Sequence, residues 1–216
     1  SLGVSAEQVF ARPYLLPHPK TYAASLDMAK PLIAKRQRPI FVFAGHLIPR
    51  KGLRELLESC VLLTQKGYEN FTLIVVGDGL ERMDLEAYVK QNGLTQVVWI
   101  GAVEYEQVGA YFNAADVYVF PTREDVWGLV LVEAMMFGKP VLVSQWAGAA
   151  EMVMEGENGY VFDPYEPQQL AELMAKFIED PDLIKRMGAR SQSIMEDHQL
   201  EKVAKYLTEV VDFVLA

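Results

Sequence analysis

Between residues 39 and 162, short apolar runs of about four to seven residues alternate with longer stretches whose apolar positions recur every three or four residues. "PIFVFAG" (39–45), "FTLIVVG" (71–77), "VVWIG" (97–101), "VYVFP" (117–121), "PVLVS" (140–144) and "GYVF" (159–162) have the length and composition of buried strands. "LRELLESCVLLTQKG" (53–67) and "LERMDLEAYVKQNG" (80–93) read as helices closed by glycine. "YEQVGAYFNAA" (105–115) and "GLVLVEAMMFG" (128–138) read as helices too. Three helical stretches follow, at 167–180, 181–197 and 200–216. Ahead of residue 39, "QVFARPYLLP" (8–17) is predicted as a short strand and exit loop. "TYAASLDMAKPLIAKRQ" (21–37) is predicted as a helix that Pro31 breaks or kinks.

Buried strands alternating with helices mean βαβ units, and their sheet is parallel and covered on both faces. The predicted fold is α/β, a Rossmann-like doubly wound parallel sheet. Such sheets bind ligands beyond the carboxyl ends of their strands. The loops 45–52, 77–79, 101–105, 121–128 and 144–151 therefore become the candidates.

Composition narrows the ligand classes. The 216 residues are 51% hydrophobic, enough for one large domain with its own core, and 23% charged. The net charge of −9 gives no overall attraction to nucleic acid or anionic lipid, so an anionic ligand needs a local feature. The one cysteine, Cys60, excludes a disulfide framework and reads as a core thiol. No apolar run approaches a membrane span, and "SLGVSAEQVF" lacks a signal-peptide pattern. It also lacks an initiator Met and reads as the tail of another element.

Several motifs carry less chemistry than they spell. Gly77-Asp78-Gly79 follows a strand but lacks the third glycine of a dinucleotide fingerprint, so a tight turn near a nucleotide is the better reading. Asp180-Pro181-Asp182 is ordinary helix capping, His18, His46 and His198 have no zinc spacing, and no Gly-x-Ser-x-Gly is present. No metal site is predicted. "GHLIPRKG" (45–52) sets Arg50 and Lys51 just before a helix start, which suits a diphosphate.

The sharpest feature is "REDVWGLVLVEAMMFGKP" (123–140). A helix beginning near Gly128 leaves the amides of about Val126–Val130 open toward an anion. Glu133 lies about one and a half turns inside, among apolar neighbours, where a ribose diol is a fitting donor pair. Asp125 is eight residues earlier, about 12 Å along a helix. That is too far for two carboxylates acting across one glycosidic bond. It fits two contacts to one elongated ligand.

The order of these motifs, from the first loop through "LIVVGDG", "VVWIGAV" and "YFNAADVYVFPTREDVWGLVLVEAMMFGKPVLVSQWAGAAEMVMEGENGYVFDP", resembles the C-terminal half of family 4 retaining glycosyltransferases of the GT-B fold. The likeness runs from about Ile40 to the end. It implies a donor-binding domain over 39–199, a linker strand and helix at 1–38 leading in from a missing N-terminal acceptor domain, and a C-terminal helix at 200–216 packing toward that domain. The family's hallmark is two glutamates with seven residues between them. The second falls on Glu133, implying ribose binding; the first falls on Asp125, with Glu124 as the alternative, implying contact to the donor sugar. Gly45, Trp127, Gly128 and Leu129 join the diphosphate and sugar region, and Val103 is implicated at the base. Lys51 matches the family's diphosphate lysine and a catalytic role with Asp125. The companion arginine position holds His46, for which Arg50 is the substitute.

The implied reaction moves a sugar from a nucleoside diphosphate, UDP ahead of GDP or ADP, to a glycan or lipid-linked acceptor, with no cofactor or metal. The isolated domain is expected to bind donor and to be inactive in transfer. A nucleotide-sugar epimerase of the same architecture and a non-catalytic nucleotide-sugar-binding module are the alternatives. Cell-surface polysaccharide or glycolipid assembly is the usual setting. That implies a cytoplasmic location, at the inner face of the membrane if the missing domain associates with it peripherally. No nucleic acid partner is expected.

Overall fold

The computed structural model describes Tyr22, residues 25–196, His198 and residues 200–215. The strand and loop expected at 8–17 lie outside them. Six strands form one parallel sheet: β1 (Ile40–Ala44), β2 (Thr72–Val76), β3 (Val97–Gly101), β4 (Val117–Phe120), β5 (Val141–Ser144) and β6 (Gly159–Phe162). Their order is β3-β2-β1-β4-β5-β6. This is the doubly wound order whose direction of travel reverses between β1 and β4.

The strands are where the apolar runs placed them because every position of β1, β2, β4 and β5 is buried, which only a sheet covered on both faces allows. Period-two alternation then divides them between two cores. Phe41, Phe43, Leu73, Val75, Val117 and Val119 pack under α2 (Leu53–Gln65), α3 (Arg82–Gln91) and α6 (Pro167–Glu179). Ile40, Val42, Ala44, Tyr118, Phe120 and Val143 pack under α4 (Tyr105–Ala114) and α5 (Leu129–Met136). Cys60 lies fully buried in the first core. α7 (Pro181–Glu196) runs against α5 and α6, and α8 (Leu200–Leu215) ends the chain.

The region 21–37 corrects expectation. Its described part holds one helical turn, α1 (Lys30–Ile33), with proline in its first turn. Pro31 therefore starts a helix and does not interrupt one, since its missing N–H costs nothing there. No described helix is long and apolar enough to cross a membrane.

Candidate functional site

Two loops interlock at the switch point. The first leaves β1 and enters α2 through a 3-10 turn, Pro49–Lys51. Gly52 closes it with a φ of 70°, and a Cβ there would lie 1.8 Å from the Pro121 carbonyl oxygen, so only glycine lets this loop touch the end of β4. The second loop, 121–128, is laced to the first. The Arg123 amide and the Thr122 hydroxyl both donate to the Arg50 carbonyl, at 2.8 and 3.0 Å. The Arg50 guanidinium donates to the Glu124 carbonyl at 2.9 Å.

The lacing fixes the charges. Lys51 Nζ donates to Asp125 Oδ2 at 2.6 Å, and Arg50 Nη1 lies 3.6 Å from the same oxygen. The Lys51 and Asp125 side chains are only 15% and 16% exposed, so solvent screens this pair less than an ordinary surface pair. The ammonium also sits over the Phe120 ring, 5.5 Å from its centroid. Lysine has three donors and can hold a phosphate oxygen while keeping the carboxylate. Glu124 is exposed, so of the two acidic residues left open by the sequence, Asp125 is the one set against the cations. His46 is exposed as well, and Arg50 is the second cation near Asp125.

The start of α5 is held by the same loops. Gly128 has a φ of 105°, and a Cβ there would meet the Phe120 ring at 2.5 Å. Among the described residues, the amides of Val126, Gly128, Leu129 and Val130 have no hydrogen-bond partner. The expected open run is interrupted at Trp127, whose amide donates to Asp125 Oδ1 at 3.3 Å. Asp125 is braced from the far side too: its amide donates to the Trp146 carbonyl, and its carbonyl accepts from the Gly148 amide.

Glu133 lies further along α5 and is 4% exposed. Burial pushes its carboxyl above the ordinary range, while the hydrogen bond from Tyr105, with Tyr22 behind it, pulls it back. The Tyr105 hydroxyl donates to Glu133 Oε1, and the Tyr22 hydroxyl donates to the Tyr105 oxygen at 3.0 Å. Val103, two residues before Tyr105, is half-buried against the α4–α5 core.

Gly77 and Gly79 have packing roles, against the loop that begins at Gly45. The Gly45 amide donates to the Val76 carbonyl at 3.0 Å. A Cβ on Gly77 would lie 1.9 Å from the Gly45 carbonyl oxygen, and one on Gly79 2.5 Å from that of Leu47. The Gly-Asp-Gly turn is thus required by the close approach of two loops. Among the described residues, no group of three or more His, Cys, Asp or Glu side chains is placed to hold a metal.

The sequence reading missed two features. Arg123 Nε donates to Glu55 Oε1 at 2.8 Å, which ties the second loop to α2. A signal existed: Glu55 stands on the buried face of α2 beside Leu53, Leu56 and Leu57. The Tyr22–Tyr105–Glu133 chain had no signal, because it joins residues 83 and 28 positions apart.

The family described as Glycosyl transferases group 1 matches residues 27–193. A D-inositol 3-phosphate glycosyltransferase of Streptomyces scabiei is 31% identical over 178 residues, covering 78% of this chain and 40% of its own length. The chain spans less than half the length of the first curated relatives it matches: 39%, 47% and 40% of three of them. Anabaena Alr3699/HepE, crystallised in complex with UDP, superposes with a TM-score of 0.76 at 23% identity, covering 92% of this chain and 54% of that one. The crystallised C-terminal domain of a glycosyl transferase group 1 family protein, LpcC of Francisella tularensis, superposes at 0.70 and 23% identity. There the shared part is 86% of this chain and 96% of that domain.

Proposed function

Because the chain belongs to the glycosyl transferases group 1 family, we propose that it is the donor-binding domain of a retaining glycosyltransferase that uses a nucleoside diphosphate sugar, UDP-sugar first. The observation that carries this reading is one helix. At its start, α5 has open amides beside the Lys51–Asp125 pair, and one and a half turns in it has a buried carboxylate. A nucleotide sugar laid along it meets cations and amides with its diphosphate and Glu133 with its ribose. Asp125 faces the sugar, and Val103 lies toward the base. A fold neighbour crystallised with UDP supports starting with that nucleotide.

In the reaction, the bond from the anomeric carbon to the diphosphate oxygen breaks. The electron pair leaves with the nucleoside diphosphate. An acceptor oxygen bonds the same face of the sugar and passes its proton to the departing diphosphate oxygen. Lys51, Arg50 and the α5 amides stabilise the charge growing on the departing diphosphate, and this role calls on no metal. The acceptor, a glycan or lipid-linked sugar, is assigned to an N-terminal domain supplied by the part of the relatives' length this chain does not cover. α8 suits an interdomain contact: Leu207, Val211 and Val214 leave an apolar stripe exposed along it. Alone, this domain is expected to bind donor without transferring it.

The test is a calorimetric titration with UDP up to millimolar concentration. Wild type should bind, and Glu133→Ala should bind about 10- to 100-fold more weakly, the range for lost hydrogen bonds to a charged group. No binding by wild type, or equal binding by the variant, refutes the reading.

A further inference from the structure

Glu133 sits in a setting unusual for a carboxylate. It is 4% exposed, and no lysine, arginine or histidine is paired with it among the described residues. The groups that face it are tyrosines: Tyr105 from the first turn of α4, Tyr22 from ahead of α1, and Tyr118 from β4. No charged side chain of β5, of the 148–152 turn or of α7 is bonded to it among the described residues. The Tyr118 hydroxyl is buried with no hydrogen-bond partner and does not reach it. A buried carboxylate without a cation needs donors to stay ionised and to keep one orientation. Here one hydroxyl supplies that bond, and a second hydroxyl backs the first.

The backing is built into the packing. The Tyr22 ring lies 5.9 Å from that of Tyr105 and 5.4 Å from that of Phe137. It also presses on α4 at Gly109, where a Cβ would come within 2.6 Å of the ring. Tyr22 is 1% exposed, so its hydroxyl is fixed in place, and Tyr105, half-exposed, stands between it and the site. An ionised carboxylate has about four lone-pair positions. Tyr105 uses one on Oε1, and no described residue donates to Oε2. That leaves acceptor capacity for the two vicinal hydroxyls of a ribose.

We propose that Tyr105, backed by Tyr22, is a positioning residue for the nucleotide: it holds the Glu133 carboxylate in the one orientation that presents its second oxygen to the ribose diol. This rests on the reading that Glu133 takes the ribose. Tyr105 thereby couples the loop after β3, which borders the base, to the ribose contact on α5. A donor with an intact 2′,3′-diol gains from this arrangement, and one without the diol does not. Binding also requires the ionised carboxylate. Because the Tyr105 hydrogen bond opposes the upward push of burial, removing it raises the pH at which binding is lost on acidification.

The experiment measures the affinities of wild type, Tyr105→Phe, Tyr22→Phe and Glu133→Ala for UDP and for 2′,3′-dideoxy-UDP, with UDP affinity followed from pH 8 down to pH 5. Tyr105→Phe should bind UDP roughly tenfold more weakly at pH 7, and Tyr22→Phe roughly two- to threefold more weakly. Both should bind the dideoxy nucleotide as wild type does. The acid midpoint of UDP binding should move to higher pH in Tyr105→Phe. A merely structural role would weaken both nucleotides together and leave the midpoint in place. Unchanged or tighter UDP binding by Tyr105→Phe, or equal loss for both nucleotides, overturns the proposal. If Glu133→Ala still weakens UDP selectively, the ribose reading stands without it. If wild type fails to distinguish UDP from its dideoxy form, the ribose reading itself falls. Should Tyr105→Phe fold poorly, Tyr22→Phe, which keeps the Tyr105 ring, decides the same question.

Discussion

The two ends of the sheet each enclose a lysine, and the two lysines are held in opposite ways. At the carboxyl end, Lys51 is bonded to the Asp125 carboxylate, beside amides with no described partner. At the amino end, Lys139 donates to the carbonyls of Ala115 and Asn113, at 2.8 and 3.2 Å, in the turn between α5 and β5. Burial pulls the Lys139 ammonium down to about 8; Asp116 opposes the fall and Arg38 adds to it. Lys51 bonds a group that a ligand can share, whereas Lys139 closes off backbone that would otherwise be left bare. Enclosure alone does not distinguish the two lysines; their partners do.

The sharpest way to break the contrast is to remove the base on which Lys51 stands. Gly52→Ala places a methyl 1.8 Å from the Pro121 carbonyl oxygen at a φ of 70°. It should cost about 3 kcal/mol or more in chemical denaturation and weaken UDP binding along with stability. A variant as stable as wild type would show that the two loops can separate freely.

Removing Lys51 itself should act on binding far more than on folding. Lys51→Ala should weaken UDP about 10- to 100-fold, the range for charge-assisted bonds to phosphate, and leave uridine affinity nearly unchanged. Equal losses for UDP and uridine would place Lys51 away from the diphosphate.

The smallest effect belongs to the amino end. Because the folded state lowers the Lys139 pKa from 10.5 to about 8, the unfolded chain binds more protons between those values, and this group makes stability rise as pH rises through that window. Lys139→Met should remove that rise in denaturation midpoints measured from pH 8 to pH 9.5. UDP affinity should stay within twofold of wild type, since the two lysines stand at opposite ends of the strands. A large loss of UDP binding would abolish the distinction between the ends.

Much of this was legible in the chain. Period and burial go together, so the apolar runs located all six strands of the sheet to within a residue or two. The glycines after β1 and β4 marked the two loops that meet, and the Asp125-to-Glu133 spacing placed two carboxylates along one segment. Local pattern falls short even nearby, where the outcome depends on an element's start or on side-chain geometry. From sequence Pro31 breaks or kinks a helix, whereas its place in a first turn depends on where the helix starts. The amide run is open at Trp127 by sequence and closed in the structure, because whether Asp125 bends back onto that amide is a matter of side-chain geometry.

By itself, then, the sequence determined the alternation of elements, the parallel sheet and the acidic pair, because each follows from residue types within a few positions of one another. Only the tertiary structure decided which cations stand beside Asp125 and which hydroxyls hold Glu133. Lys51 and Asp125 are 74 residues apart, and Tyr22 and Tyr105 are 83 apart. Such partners are chosen by the crossover of β1 to β4 and by the packing of Tyr22 on α4 and of α4 on α5, and no local period records them.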